Sequence, residues 1–585
     1  MYLSIKLVAT QPSLASFPPE LLDHLISYIS NPSDLLSLAL TSSTFRAIVI
    51  PFHLHYRTIR CVTDDSEMWN HLLESQRRLQ HVHALQLYRS TSSSSVVLSN
   101  CLPRILRNEG EAPPAASSLT LSAISQMTHL KSLAWLRRDS EYFWPLGFSN
   151  SRYVERAEFD NLAEEFWDTV LQHCHELQEV VARSFYGCCD CAAQRGGPRT
   201  LTKLFNLRGL TSLSYEFYYC TRDGHSEFNS SPLISFLASN PELQLLRVLA
   251  PFMAPGGEQR VNLQELFHLR LPSLRTFSLA GKIETIPAPL LIGFFDANPL
   301  LEYVHLGQIV RIEMNPTASP THLLPLLKHI SAYQLEVLTW FWGDLPDGTV
   351  RPLVSMGVSC PLYGGSGYIS FLDKMSTAVG KGLNALSMCF WVDRPLVHWA
   401  DLIAHIGSTC PNLRRLNIDR FPASKDVSLI GAPIHSPQNS PDYWSGFSAL
   451  GKLELLTVPK GFFTHIATGT KETDWKPRLD RDAMLELTRT CPSLRLINGR
   501  INVHFREHIG LIYLRPATGT AEQCKVTEYS NKEGSTFAVE LSDEGQSTDF
   551  SWQLYLANTN YSRTETGEDL WRIFLPHYDN LRFTH

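Results

Sequence analysis

A nine-residue pattern recurs along most of this chain and constrains its fold more than any other feature. Its clearest copies are NPELQLLRV from residue 240, NPLLEYVHL from 298, CPNLRRLNI from 410 and CPSLRLING from 491. Positions four and seven are apolar in almost every copy. With looser copies included, the fourth positions are Val82, Leu130, Leu177, Leu210, Leu243, Leu274, Leu301, Leu335, Leu383, Leu413, Leu453 and Leu494. Neighbouring copies are 27 to 48 residues apart, a period typical of proteins built from stacked repeats.

Each copy predicts a short strand preceded by a helix. Positions seven and nine share one face of a strand, because successive side chains alternate between its faces. Helix-like segments such as EEFWDTVLQHC and LIGFFDAN precede the turn at Asn-Pro or Cys-Pro. This unit resembles the leucine-rich repeat in an irregular, long form. The resemblance implies an α/β solenoid with strands on its concave face and helices outside; a sheet protein of unrelated α/β units is the alternative.

Segments rich in serine, proline and glycine interrupt the pattern and are predicted to be loops. They span residues 90–95, 108–118, 251–259, 343–367 and 432–446. Beyond residue 500 the sequence changes to alternating stretches such as INVHF and FSWQLYL, which indicate strands. Because the open end of a stack exposes its core, we expect residues 500–585 to form a β-containing C-terminal cap.

The stretch FPPELLDHLISYISNPSDLLSLALTSSTF, residues 17–45, predicts short apolar helices near the start of the chain. In the first helix, five leucine and isoleucine side chains fall within an arc of roughly 140°. A second helix begins at Pro32, and a third begins at Ser42 or Ser43 and ends at Pro51. Roughly 35 residues cannot bury this many leucines in a core of their own. One apolar side can rest on the following domain, so the other side needs a partner.

The same stretch resembles the F-box, the adaptor-binding module of SCF-type ubiquitin ligases. Phe17 and Pro18 stand at the family's Leu-Pro, and Glu20 follows closely. The second half of the family pattern is matched by Asp34, Leu35, Leu40 and Phe45. Phe17 and Phe45 depart from the usual leucine and tryptophan but keep bulk and apolar character. An ordinary helical cap on the next domain is the alternative interpretation.

Together the two resemblances divide the chain into four parts. They are a flexible N-terminus (1–13), a three-helix F-box-like module (14–52), an irregular leucine-rich-repeat solenoid (53–499) and the C-terminal cap (500–585). The F-box resemblance implies docking on a Skp-type adaptor, which links to a cullin and a RING subunit. The implied docking residues are Phe17, Pro18, Pro19, Leu21, Leu22, Leu25, Ile26, Leu35 and Leu38.

Side chains at positions six and eight of the repeats point away from the repeat core and are expected to hold a protein target. This set comprises Glu216, Arg247, Tyr303, His305, Arg415 and Asn417. The sequence therefore predicts a non-catalytic substrate receptor of an E3 ubiquitin ligase. A leucine-rich-repeat interaction scaffold without a role in ubiquitylation is one alternative, and a concealed hydrolase or metal enzyme is another.

Charge and cysteine usage exclude several other classes of protein. The net charge of −6 and the absence of like-charge blocks argue against nucleic acid as the main partner. No apolar run approaches the roughly 18 residues of a membrane span, and MYLSIKLVA is too short for a signal peptide. Twelve scattered cysteines indicate reduced thiols rather than a disulfide framework. We therefore expect an intracellular protein, cytoplasmic or nuclear, with no membrane partner.

Few residues suggest chemistry. Cys188 and Cys191 form a C-x-x-C pair, but zinc needs four ligands, and Cys220 and His225 make a weak second half. No phosphate loop, dinucleotide loop, zincin motif or nucleophile elbow is present. The histidines are dispersed, and HVH at residue 81 lies in a predicted repeat strand and is interpreted as structural or exposed. The sequence thus predicts no cofactor, no metal ligands and no catalytic residues.

Overall fold

The computed structural model of the chain describes residues 14, 17–29, 32–54, 56–62, 66–88, 116–136, 163–186, 203–219, 230–250, 260–281, 283–307, 310–313, 322–342, 345–362, 365–391, 399–421, 445–459, 464–465, 478–479, 487, 490–494, 496–500, 508–514, 525–532 and 535–541.

Helices and strands alternate along most of these ranges. The α-helices are α1 (Pro19–Ser27), α2 (Pro32–Thr41), α3 (Ser43–Ile48), α4 (Ser66–Leu73), α5 (Gln76–Gln80), α6 (Ala116–Ile124), α7 (Ala163–His173), α8 (Ser231–Ala238), α9 (Ala288–Ala297), α10 (Leu335–Thr339), α11 (Gly365–Ala378) and α12 (Trp399–Thr409). A π-helix spans Val49–Leu54, and 3₁₀ turns span Leu204–Asn206, Gln264–His268, Gly380–Gly382 and Gly446–Ala449.

The strands of the first half are β1 (Thr58–Val62), β2 (Ala84–Tyr88), β3 (Ser132–Leu136), β4 (Glu179–Tyr186), β5 (Ser212–Tyr219), β6 (Leu245–Leu249), β7 (Thr276–Ala280), β8 (Ile286–Pro287), β9 (Tyr303–Leu306) and β10 (Ile312–Glu313). Those of the second half are β11 (His329–Ala332), β12 (Ser355–Leu362), β13 (Ala385–Trp391), β14 (Arg415–Phe421), β15 (Leu455–Pro459), β16 (Thr464–His465), β17 (Arg478–Leu479), β18 (Leu496–Arg500), β19 (His508–Leu514), β20 (Lys525–Lys532) and β21 (Ser535–Leu541).

Seventeen of these strands form one sheet. From β1 to β18 its members pair in parallel and in chain order; only the short pairs β8–β10 and β16–β17 lie outside it. Strands β19, β20 and β21 then extend the sheet in antiparallel pairing. The predicted α/β class is confirmed as a mixed fold with a large parallel sheet.

The sequence pattern and the register of the sheet coincide. Each parallel strand begins at position six, so position seven of one repeat lies beside position seven of the next, as Leu213 does beside Leu246. All the described position-seven side chains, from Ile59 to Leu456, are at most 3% exposed. They form one continuous apolar core with the helices on that side, where Phe277 and Phe294 lie 4.8 Å apart between ring centroids. One face of the sheet is therefore covered by helices.

A row of backbone hydrogen bonds runs across the start of every parallel strand from β2 to β15. The position-five carbonyl of one repeat accepts the N–H groups of positions five and six of the next, at 2.8–3.1 Å. The Gln244 carbonyl, for example, accepts from Arg275 and Thr276. This row aligns the amino ends of the strands, whereas their carboxyl ends differ: β9 has four residues and β4 has eight.

Buried asparagines explain the Asn-Pro turns of the pattern. The side-chain amide of Asn298 donates to the carbonyls of Phe294 and Leu269 at 2.7 and 3.3 Å, and its oxygen accepts the Leu271 N–H at 2.7 Å. Two repeats earlier, Asn240 makes the three equivalent contacts. At the equivalent position, the thiol of Cys491 donates to the Leu450 carbonyl at 3.3 Å. Residues at this position thus tie each turn to the preceding repeat.

Two features of the predicted repeat pattern are wrong. Leu335 was expected to mark a strand, but it begins helix α10; the strand of that repeat is β11, marked by Leu327. Residues 343–367 were expected to form a loop, but they contain strand β12 and the start of helix α11. The Leu-x-x-Leu spacing is also a helical spacing, and proline and glycine around β12 concealed a repeat.

The N-terminal helices largely follow the prediction. Helix α2 begins at Pro32, and the Ser42 hydroxyl caps α3 by accepting the Phe45 N–H at 3.2 Å. Pro51 does not end this helix, because the chain continues through it as the π-helix. A proline ring crowds the carbonyl four residues earlier, and the wider π turn gives that carbonyl more room.

We expect Asn298→Ala to lower the free energy of unfolding of the repeat region by about 2–4 kcal/mol, because three buried backbone groups lose their partner. The measurement is denaturant unfolding followed by far-UV circular dichroism. Asn412→Ala is the matched control, since Asn412 bonds the Lys381 carbonyl at 2.8 Å in an exposed turn; its cost should stay below about 1 kcal/mol. Equal effects of the two substitutions would contradict the bracing role of Asn298.

Candidate interaction site

The N-terminal module, helices α1–α3 with the π-helix, has a small apolar core of its own. Leu22, Ile26, Leu35, Ala39, Phe45, Ile48 and Val49 form this core, which is separate from the core of the repeats. A cap that continued the repeat core would merge with it. The described residues instead form two apolar cores.

The module also exposes an unusual amount of apolar surface. Of the eleven large hydrophobic side chains that are exposed in the described ranges, seven lie between residues 14 and 40. They are Leu14, Phe17, Leu21, Leu25, Tyr28, Leu36 and Leu40. Leu21 and Leu25 lie one turn apart on α1 and are half-exposed. An exposed apolar surface of this kind is typical of a protein-interaction site.

This burial corrects the predicted docking set. Leu22, Ile26 and Leu35 are at most 2% exposed, so they hold the module together and offer no surface to a partner. Phe17, Pro18, Pro19, Leu21 and Leu25 are exposed, and Leu38 is half-buried. The sequence prediction omitted Leu14, Tyr28, Leu36 and Leu40, which are exposed.

Polar and aromatic contacts join the module to the first repeats. Asp23 on α1 accepts a hydrogen bond from Nε2 of His53 at 2.7 Å, and its other oxygen lies 3.6 Å from Nε2 of His81. Arg77 places its guanidinium 3.8 Å from Asp23 and 4.0 Å from the centre of the Phe52 ring. Burial lowers the pKa of His81 to about 4, although Asp23 opposes the shift.

Sequence reasoning missed this junction cluster of Asp23, His53 and His81. Asp23 and His53 are 30 residues apart, which matches no short ligand or catalytic motif. Only the HVH tripeptide that begins at His81 had drawn attention, and it was interpreted as structural or exposed.

The predicted target-binding residues lie on the face of the sheet opposite the helices, here called the polar face. Register places Tyr303 next to His329, and Asn417 next to Ser387, with a hydrogen bond of 2.9 Å between the latter two side chains. Arg415 lies two residues before Asn417 on β14. Glu216 lies on β5 between Arg183 and Leu249 in register, but its side chain is outside the described part of the structure.

Two residues of the polar face differ from the prediction. Arg247 is only 7% exposed, so its guanidinium contributes little surface to a partner. His329, which the sequence prediction omitted, stacks its ring on Tyr303 at 4.1 Å and 8°. Position eight is occupied by small residues on the strand of His329 and on the following strand, Ser331 and Gly357.

The histidines of this face are neutral. Burial lowers the pKa of His305 to about 3, and the nearby Arg247 adds to the shift. Burial also lowers the pKa of His329 to about 4; Lys328 and Arg415 strengthen the shift, and Glu302 opposes it. Both imidazoles are therefore uncharged at neutral pH.

The cysteines of the repeat turns have a structural role. Cys174, Cys410 and Cys491 are buried free thiols. Burial raises the pKa of Cys174 and Cys410 to about 12, so neither thiol is a nucleophile at neutral pH. The pair Cys188 and Cys191 lies outside the described residues.

A scan against protein-family models and a search of curated proteins both found no match to this chain. Within the described ranges, no helix combines the length and the apolar character needed to cross a bilayer.

The contrast between Leu22 and Leu21 gives a test of the module's core. We expect Leu22→Ala to lower the free energy of unfolding of the module by about 2–5 kcal/mol, because the substitution leaves a cavity in its core. Leu21→Ala removes the same atoms from an exposed site and should cost less than about 0.5 kcal/mol. Hydrogen exchange of the α1–α3 amides measures both effects. A larger effect of Leu21→Ala would show that the burial of these two neighbours is reversed.

Acid should weaken the repeat region through His329. Its pKa is about 4 in the folded chain and about 6.5 when unfolded, so below pH 6.5 the unfolded chain binds the extra proton and stability falls towards pH 4. His329→Gln should flatten this slope between pH 6.5 and 4 in denaturant titrations. The exposed His268 provides the control, and His268→Gln should keep the wild-type slope. An unchanged slope in His329→Gln would contradict the shielding of this imidazole.

Proposed function

We propose that the chain is the substrate-recognition subunit of an SCF-type E3 ubiquitin ligase. The observation that carries the proposal is the concentration of exposed apolar side chains on the N-terminal module, around Leu21, Leu25 and Leu40. Each such side chain gains roughly 1.5–3 kcal/mol when a partner covers it. The resemblance of the N-terminal module to the F-box indicates the class of partner, a Skp-type adaptor that links to a cullin-RING ligase.

We further propose that the repeats form a leucine-rich-repeat solenoid and that β19–β21 belong to its C-terminal cap. Support for the solenoid comes from the parallel pairing of the strands in chain order and from the helices that share a core with the position-seven side chains of the described strands. Antiparallel strands that follow the last repeat support the cap. The opposite, polar face is then the concave surface that receives a protein target.

Such a receptor carries out no chemistry itself. The module binds the adaptor, and the polar face binds the target, so lysines of the target are held near ubiquitin on the ligase. Holding two reactants together raises their effective concentration and removes the entropic cost of a bimolecular encounter. Residues suited to the target face are Tyr303, His305, His329, Arg415 and Asn417, which supply a stacked aromatic pair and several hydrogen-bond donors.

A non-ubiquitin scaffold remains the second candidate, because one observation favours it. Asp23 lies 3.6 Å from His81 and 3.8 Å from Arg77 of the first repeats, contacts that would also join a helical cap to the repeats. The separate apolar core of the module favours the receptor instead.

Binding to a purified Skp-type adaptor, measured by calorimetry on the full chain, tests the proposal. We expect Leu21→Asp with Leu25→Asp to weaken binding at least a hundredfold, because about 3 kcal/mol of apolar burial is lost. The matched control is Val350→Asp with Ile369→Asp, which changes two exposed apolar side chains of the repeats and should leave binding unchanged. If the wild-type chain does not bind the adaptor, the receptor proposal fails and the scaffold remains.

A further inference from the structure

We propose that Asp23, His53 and His81 form a binding site for a transition-metal ion of the Zn²⁺ class at the junction between the N-terminal module and the repeats. The proposal does not depend on the ubiquitin-ligase function. Each residue offers one ligand atom, and the three atoms lie within 4.8 Å of one another. Among the described residues this is the only such group.

The donor set suits zinc. Two imidazole nitrogens and a carboxylate oxygen are ligands that Zn²⁺ accepts at about 2.0–2.2 Å, with water in a fourth position. Hard cations such as Mg²⁺ and Ca²⁺ prefer oxygen ligands throughout, so two histidines favour a transition metal. Both histidines direct Nε2 towards the same carboxylate.

The three ligand atoms lie close to the spacing that one tetrahedral ion requires, which is roughly 3.3–3.5 Å between ligand atoms. His53 hydrogen-bonds one oxygen of Asp23 at 2.7 Å, but His81 Nε2 is 3.6 Å from the other oxygen, which is too long for a hydrogen bond. The carboxylate and the second imidazole therefore face each other across an unbridged gap. For all three atoms to bind one ion, the hydrogen bond between His53 and Asp23 would open and the two atoms would move apart.

Burial favours the site as well. The His53 side chain is 1% exposed, that of His81 is 12% and that of Asp23 is 23%. Phe52 lies 5.0 Å from the His81 ring and restrains its orientation. Restrained, shielded ligands lose little entropy when they bind an ion, and the partly exposed Asp23 leaves an entry path.

One group opposes a cation. The guanidinium of Arg77 lies 3.8 Å from Asp23 and is half-exposed. An ion at the site would meet the positive charge of Arg77, which can turn towards solvent. Because Arg77 repels the ion without being a ligand, removing its charge should tighten binding of the metal ion. A residue that mattered only for folding would not have this effect.

The metal would also join two parts of the chain. Asp23 lies on α1, His53 lies in the π-helix, and His81 lies just before β2. Binding would therefore fix the orientation of the N-terminal module relative to the first repeats, and it would stabilise the folded chain in proportion to the free metal concentration.

The test is a Zn²⁺ titration of the full chain in competition with a chromophoric chelator, together with thermal unfolding in Zn²⁺ and in EDTA. We expect one Zn²⁺ per chain, at least tenfold weaker binding in His81→Gln, and several-fold tighter binding in Arg77→Gln. Zn²⁺ should raise the unfolding temperature of the wild type but not that of His81→Gln. His81→Ala is the second variant, and unfolding in EDTA checks that both variants are folded.

His322→Gln is the matched control. His322 pairs with Asp296 at 3.1 Å on the surface and belongs to no described three-residue group, so its loss should leave Zn²⁺ affinity unchanged. The proposal is overturned if the wild type binds no stoichiometric Zn²⁺, or if the His81 variants bind it as tightly as the wild type. In either case the cluster is only a polar contact in which Asp23, hydrogen-bonded to His53, faces His81 of the first repeats.

Discussion

The row of position-five carbonyls is the interaction on which the rest of this structure depends. Each carbonyl accepts two N–H groups from the next repeat at 2.8–3.1 Å, without a break from Arg57 to Leu455. A slip of one residue in a strand would move every apolar side chain to the opposite face of the sheet. Because the row fixes where each strand begins, it keeps position seven in the core and positions six and eight on the polar face.

The repeat pattern predicted the parallel sheet well, because alternate side chains of a strand lie on opposite faces of the sheet and the apolar ones are those that become buried. Leu213, Leu246 and Phe277 were expected in the core and are fully buried. The pattern failed where the Leu-x-x-Leu spacing occurs in a helix as well as in a repeat. Leu335 and Leu338 fit a repeat strand equally well, but they lie on α10.

The N-terminal module shows a different limit of sequence reasoning. Leu21, Leu22, Leu25 and Ile26 fall in one apolar arc of α1, and helical periodicity cannot divide that arc further. Packing of α1 against α3 and the π-helix makes the division. Leu22 and Ile26 face this contact and are buried, whereas Leu21 and Leu25 are left outside. The junction cluster was equally hidden, because tertiary packing alone brings Asp23 to His53.

Two surfaces with opposite chemistry result from this arrangement. The module offers leucines and two aromatic rings, those of Phe17 and Tyr28, a composition suited to a constant partner that buries a large apolar area. The polar face offers arginine, asparagine and a stacked tyrosine–histidine pair, groups suited to discriminating among partners by hydrogen bonds. The module that carries the first surface contacts the first repeats through Asp23, which lies 3.6 Å from His81 and 3.8 Å from Arg77.

The unequal ends of the strands have a consequence for how such a chain can change over generations. The three longest connections between described elements, after Tyr88, Leu136 and Phe421, leave from the carboxyl ends of strands. The amino ends are occupied by the hydrogen-bonded row, so an insertion there would shift the register of a whole repeat. Insertions at the opposite edge disturb no shared hydrogen bond. Shared hydrogen bonds thus constrain the chain at the amino ends of the strands. At their carboxyl ends the chain can vary in length and composition without breaking those bonds.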